Sequence, residues 1–162
     1  MPAKIAVMDA SGAAAFALPD EKHFDAAGLC IEALAQQNAR LIAPPLFECE
    51  IDSILRRRVH LGTLTSAEAA TALRIVDALE VEIVYDVATR VLARTIAEQL
   101  KQPRVYDATY AALAQQRGCD LWTADEKFYN GATNEGAGGL LPFVRFIGSL
   151  DLLQKSRLRA NE

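Results

Sequence analysis

Short apolar stretches recur along this chain, and segments of helical length separate them. Lys4–Met8, Leu41–Ala43, Val81–Tyr85, Asp120–Thr123 and Phe143–Ile147 are each too brief for a helix and read as strands. Helical spacing runs from about Glu21 to Arg40, from Leu46 to His60, from Thr65 to about Leu79, from Asp86 to Leu100 and from Tyr106 to Arg117. Local signals mark several ends. Pro44-Pro45 stops the second strand, and Thr65-Ser-Ala-Glu68 has the form of a capping box. Asp86 reads as an N-cap, the stretch around Pro103 breaks a helix, and Gly118 closes the next. Asp9–Gly12 reads as a turn, and the glycine-rich stretch Tyr129–Leu141 as a loop. Parallel strands joined through helices take right-handed crossovers, which place helices on both faces of the sheet. The fold class is therefore α/β: a single α/β/α sandwich around a mostly parallel sheet of about five strands.

A chain of 162 residues suits one domain. That domain is expected over 1–148, with a short basic C-terminal tail over 149–162. Apolar residues at 51% and charged residues at 23% exclude a disordered tail or a fibre. The net charge of −4 argues against a protein that coats nucleic acid with basic surface. It leaves open an acidic protein whose carboxylates hold cations. Cys30, Cys49 and Cys119 are odd in number and widely spaced, so they are expected to be reduced and buried. With only His23 and His60, a zinc site is not expected. Asp9 interrupts the apolar N-terminus, and no apolar run approaches the ~20 residues that span a bilayer. A soluble cytoplasmic protein with no membrane partner is the expectation.

The acids are placed more informatively than their number suggests. In an open parallel sheet, ligands gather beyond the carboxyl ends of the strands. Asp9 follows the first strand directly, Asp125 follows the fourth, and Asp107 opens a helix. On the helix from Leu46, at about 100° per residue, Phe47, Ile51 and Ile54 share a face. Glu50 falls on the edge of that face, while Glu48 and Asp52 fall on the solvent side. On the helix from Tyr106, Asp107, Tyr110, Ala111 and Ala114 share a side, and the alanines permit close approach to the sheet. Asp9, Glu50, Asp107 and Asp125 can thus converge from four segments. Clustered carboxylates repel, and a divalent cation removes the conflict. Oxygen-only ligands suit Mg²⁺ or Mn²⁺, and such a site activates water and neutralises a phosphodiester. Ordinary caps and turns are the alternative for the same acids.

Four segments resemble the motifs of the PIN-domain ribonucleases, most closely the VapC-type toxins of toxin–antitoxin pairs. They are Val7-Met-Asp-Ala-Ser11, Pro44–Leu55, Val105–Ala114 and Leu121–Phe128, in the family's order. The resemblance spans roughly 4 to 148 and puts the family's metal-binding acids on Asp9, Glu50, Asp107 and Asp125. Two departures stand out: Ser53 where family members often carry Asn, and a longer loop from Gly131 to Gly139. The resemblance implies an Mg²⁺- or Mn²⁺-dependent endoribonuclease acting on RNA, a homodimer, and a cognate antitoxin that masks the acids. Ser11 and Thr123 are candidates to orient the acids through their hydroxyls, against a turn Ser and a strand Thr. Lys101, Arg104 and Lys127 lie near the third and fourth motifs and are candidate contacts for RNA phosphates. Two rivals remain: a PIN scaffold that binds without cutting, and a metal-dependent phosphatase. The latter usually has a second aspartate where this chain has Ser11.

Overall fold

The computed structural model describes residues 3–134 and 141–151. Five strands form one sheet in the order β3-β2-β1-β4-β5, and every pairing is parallel. They are β1 (Ile5–Met8), β2 (Arg40–Ala43), β3 (Glu82–Ile83), β4 (Leu121–Thr123) and β5 (Val144–Phe146). The helices between them are α1 (Ala10–Ala17), α2 (Phe24–Gln36), α3 (Leu46–His60), α4 (Ser66–Asp77), α5 (Val87–Gln99), α6 (Tyr106–Arg117) and α7 (Glu126–Thr133). From β1 to β3 the chain steps outward in one direction, and it then returns to the other side of β1 to form β4. Right-handed crossovers place helices on opposite faces when the direction reverses. Accordingly α1 packs on α2, α3 and α4, while α5 packs on α6 and α6 lies on β1 and β4. The core sits on the central strands, with Val7, Met8, Ile42, Leu121 and Val144 all buried.

Most of the expected elements are present, and the differences have local causes. Residues 10–17 form helix α1 rather than the loose end of a turn. Its sequence, Ala-Ser-Gly-Ala-Ala-Ala-Phe-Ala, is apolar or small throughout, so it carries no amphipathic period to read. Helix α2 stops at Gln36, and Arg40 already belongs to β2. Asn38 takes the left-handed conformation, φ 49°, where helices terminate. Helix α7 runs to Thr133, through the first five residues of the stretch expected to be a loop. Asp125 caps it, and Gly131 is tolerated inside it. The rest of the glycine-rich loop, 135–140, and the tail beyond 151 lie outside the described residues. The cysteines are free, but only Cys30 is buried; Cys49 is exposed and Cys119 half-buried. Among the described residues, no helix is long and apolar enough to cross a membrane.

Candidate active site

Strand β1 has β2 on one side and β4 on the other. The order of connections reverses between β1 and β4, and such a point opens a crevice at the carboxyl edge. Val7 pairs with Leu121 and Met8 with Trp122, so Asp9 comes level with Thr123. The Asp9 amide continues the ladder to the Trp122 carbonyl at 3.2 Å. Asp9 then caps α1: its Oδ1 accepts from the Gly12 amide at 2.8 Å and from the Ser11 hydroxyl at 2.7 Å. A side chain at position 12 would have to displace its neighbours. A Cβ there would lie 2.5 Å from Met8 Sδ and 2.9 Å from Ile147 Cδ1. Glycine thus lets α1 begin immediately beyond β1 and fixes where Asp9 points.

Two hydroxyls join this turn to the next strand. Ser11 Oγ accepts from the Ala124 amide at 3.0 Å, and Thr123 Oγ1 accepts from the Asp125 amide at 3.0 Å. Thr123 is fully buried. Asp125 repeats the arrangement of Asp9, since its Oδ1 caps α7 by accepting from the Phe128 amide at 2.9 Å. The cap reading and the ligand reading are therefore compatible: the cap bonds of Asp9 and Asp125 each use Oδ1.

The other two acids come from opposite faces of the sheet. Glu50, in the second turn of α3, is half-buried, whereas Glu48 and Asp52 are exposed. Asp107, in the first turn of α6, is half-buried. One turn further along α6, the buried Tyr110 donates its hydroxyl to Glu50 Oε2. Three of the acids, Asp9, Glu50 and Asp107, are raised, chiefly by burial. Burial pushes the Asp9 carboxyl up to about 6, the hydrogen bonds from Thr123, Gly12 and Ser11 oppose it, and the charge of Asp107 adds to it. Burial raises Glu50, the Tyr110 bond opposes, and Asp107 again adds. Asp107 is itself raised by burial and by the charge of Asp125. The charge of Asp107 thus acts on Asp9 and Glu50, and that of Asp125 acts on Asp107.

Among the described residues, no three Asp, Glu, His or Cys side chains stand as a ready-formed metal-binding group. Uncompensated carboxylates repel, so an open spacing is what their charges favour. The donor set fits a hard divalent cation nonetheless: it is oxygen only and comes from four elements, with Asp9, Glu50 and Asp107 raised in pKa chiefly by burial and Asp125 exposed.

A family model for the PIN domain matches residues 6–133. The chain belongs to the PIN domain family. PIN domains are generally nucleases, and those nucleases generally use divalent metals. The crystal structure of PAE2754 from Pyrobaculum aerophilum is similar to this PIN domain, with a TM-score of 0.57, 23% identity and 79% of each chain covered. At that identity the likeness speaks for the fold. A comparison with curated proteins gives no match.

The other residues singled out in the sequence lie on the surface or in surface pairs. Lys101, just beyond α5, Arg104, just ahead of α6, and Lys127, in the first turn of α7, are all exposed. None of the three is in an ion pair among the described residues. Arg58 differs, because it pairs with Asp20 and with Glu21 and so ties α3 to the loop ahead of α2. Ser53 is exposed on α3. Sequence reasoning placed Tyr110 beside Asp107 only as packing. Its bond to Glu50 links residues 60 positions apart, and no local pattern announces it.

Proposed function

We propose that this PIN domain is a metal-dependent endoribonuclease whose acids Asp9, Glu50, Asp107 and Asp125 hold Mg²⁺ or Mn²⁺. The observation that carries the reading is that a chain of the PIN domain family brings Asp9, Glu50, Asp107 and Asp125 from four separate elements towards the carboxyl edge of the sheet, with Glu50 bonded to Tyr110 of the helix that carries Asp107. Such a cluster is strained by its own charge, and a cation relieves it. When bound, the cation supplies water activation near neutral pH and charge neutralisation at the phosphodiester. The protein's own part is to fix the acids and place the substrate. Ser11, Thr123 and the Gly12 amide hold Asp9, and Asp125 is held by its cap. The exposed Lys101, Arg104 and Lys127 bind RNA phosphates. With water as nucleophile, the bond from phosphorus to the 3′ oxygen breaks, which leaves 5′-phosphate and 3′-hydroxyl ends.

The reading extends to the protein's setting: the toxin of a toxin–antitoxin pair, a homodimer, and a cytoplasmic location. An apolar groove of about 380 Å³ beside α5 supports partner binding. Pro44, Val84, Tyr85, Ala93 and Val105 line it, with Tyr85 and Val105 exposed. Contiguous exposed apolar surface of this kind marks interaction sites. The nuclease reading is tested by incubating the purified protein with structured RNA, with Mn²⁺ or with EDTA. Internal cleavage with Mn²⁺ that EDTA stops is expected. RNA that stays intact in both, while still bound, favours a scaffold that does not cut. The toxin reading is tested by induced expression in a cell, which should halt growth for the wild type and not for Asp107→Asn.

A further inference from the structure

Helix α6 brings two groups to the acid cluster, and only one of them is acidic. Tyr110 lies one turn after Asp107, and its ring is 2% exposed. Its hydroxyl donates to Glu50 Oε2 across the carboxyl edge of the sheet, from a helix on the opposite face. The backbone of Ala10, the residue after Asp9, also lies close enough to act on the phenol. The phenol therefore touches α3 and the start of α1 while its own helix carries Asp107. Glu50 is half-buried, with a flexible side chain of three torsions and no helix-cap role to anchor it. Asp9 and Asp125 are anchored by caps; among the side-chain bonds described, Glu50 has the phenol.

We infer that Tyr110 is a positioning residue: its hydroxyl holds Glu50 Oε2 so that Oε1 is presented to a divalent cation. The inference rests on the metal-site reading of the four acids. A donor on one carboxylate oxygen fixes the rotamer and leaves the other oxygen for a ligand. Partners that orient metal ligands in this way typically change metal affinity by about 10–100-fold when removed. Phenylalanine at position 110 keeps the ring, which fills the core between α6 and the sheet, and removes only the donor.

The test is a calorimetric Mn²⁺ titration of wild type and Tyr110→Phe without RNA, together with metal-free melts and the cleavage kinetics. The inference expects Mn²⁺ affinity to fall about 10–100-fold. It also expects lower kcat at saturating RNA, an unchanged KM for RNA, and cleavage recovered by raising Mn²⁺. A residue that only fills the core would alter the melt and leave Mn²⁺ affinity alone. If wild type binds Mn²⁺ and Tyr110→Phe binds it equally well, the positioning role falls and the metal site stands. If wild type itself binds no Mn²⁺, both fall. Should the variant not fold, the Tyr110 Cζ resonance of wild-type protein gives a second reading. Saturating Mg²⁺ moves it if the phenol holds a cation-bearing carboxylate, and an unmoved resonance overturns the inference.

Discussion

The hydroxyls of Ser11 and Thr123 lie 3.3 Å apart although 112 positions separate them in the chain. Ser11 also accepts from the Ala124 amide in the turn before Asp125, while Thr123 accepts from the Asp125 amide of its own turn. The pair therefore stitches the turn after β1 to the turn after β4, and with them Asp9 to Asp125. Ser11→Ala removes a donor to a buried carboxylate and strands the Ala124 amide. A loss of about 1–3 kcal/mol is expected in urea denaturation. Because the two hydroxyls share one network, Ser11→Ala and Thr123→Ala should not be additive, with a coupling of about 0.5–3 kcal/mol in a double-mutant cycle. Additive losses would separate the two hydroxyls.

Asp9 sets a pH dependence. Burial raises its folded-state pKa from 3.8 to about 6, above its unfolded value. The folded protein therefore holds a proton that the unfolded chain has released between those pH values. The contribution is favourable at low pH and is lost as pH rises from about 4 to about 6, by on the order of 3 kcal/mol. Metal-free protein should gain stability from Asp9 at pH 5 relative to pH 7, and Asp9→Asn should flatten that slope. Denaturation at the two pH values checks it, and an equal slope in both proteins would contradict the buried-charge account.

Glu50 and Glu48 are two residues apart on α3 and differ in exposure. Glu50→Gln should abolish RNA cleavage, whereas Glu48→Gln should leave it within about twofold, as expected of a solvated surface charge. Parallel cleavage assays decide it, and the reverse ranking would move the site off this face of the helix.

Binding of a cation to the native state alone should stabilise it. At about 100 times the dissociation constant the gain is roughly 2.7 kcal/mol, or about 5–10 °C in Tm for a chain of this size. Melts in millimolar Mg²⁺ or Mn²⁺ read the shift directly. No shift with either ion would speak against a site preorganised in the folded chain.

Much of this was legible in the sequence because it depends on local pattern. The strand–helix alternation set the parallel sheet, and the apolar face of α3 set the inward phase of Glu50 and the outward phase of Glu48. What escaped depends on the surroundings. Helix α1 is buried enough to need no polar face, so its alanines carry no period. The stop at Asn38 needs a backbone angle, and an asparagine alone does not declare one. Helix α7 forms over a stretch that holds Gly131, because its Asp125 cap and the buried Phe128 and Ala132 override a weak local preference. The Tyr110–Glu50 bond is a product of the fold, since it exists only once α3 and α6 meet at the sheet edge.

Asp107 offers the most direct test of the central claim, because its charge acts on both Asp9 and Glu50. Asn at this position keeps the shape of the side chain and removes the charge. RNA cleavage in Mn²⁺ and the metal-free melt at neutral pH should be measured on the same preparations of wild type and Asp107→Asn. The account predicts that cleavage falls by more than the roughly 100-fold that losing an outer partner costs. It predicts that the metal-free variant melts higher, since one repelling carboxylate is gone. Full cleavage by Asp107→Asn, or a metal-free variant that melts lower than wild type, would contradict it.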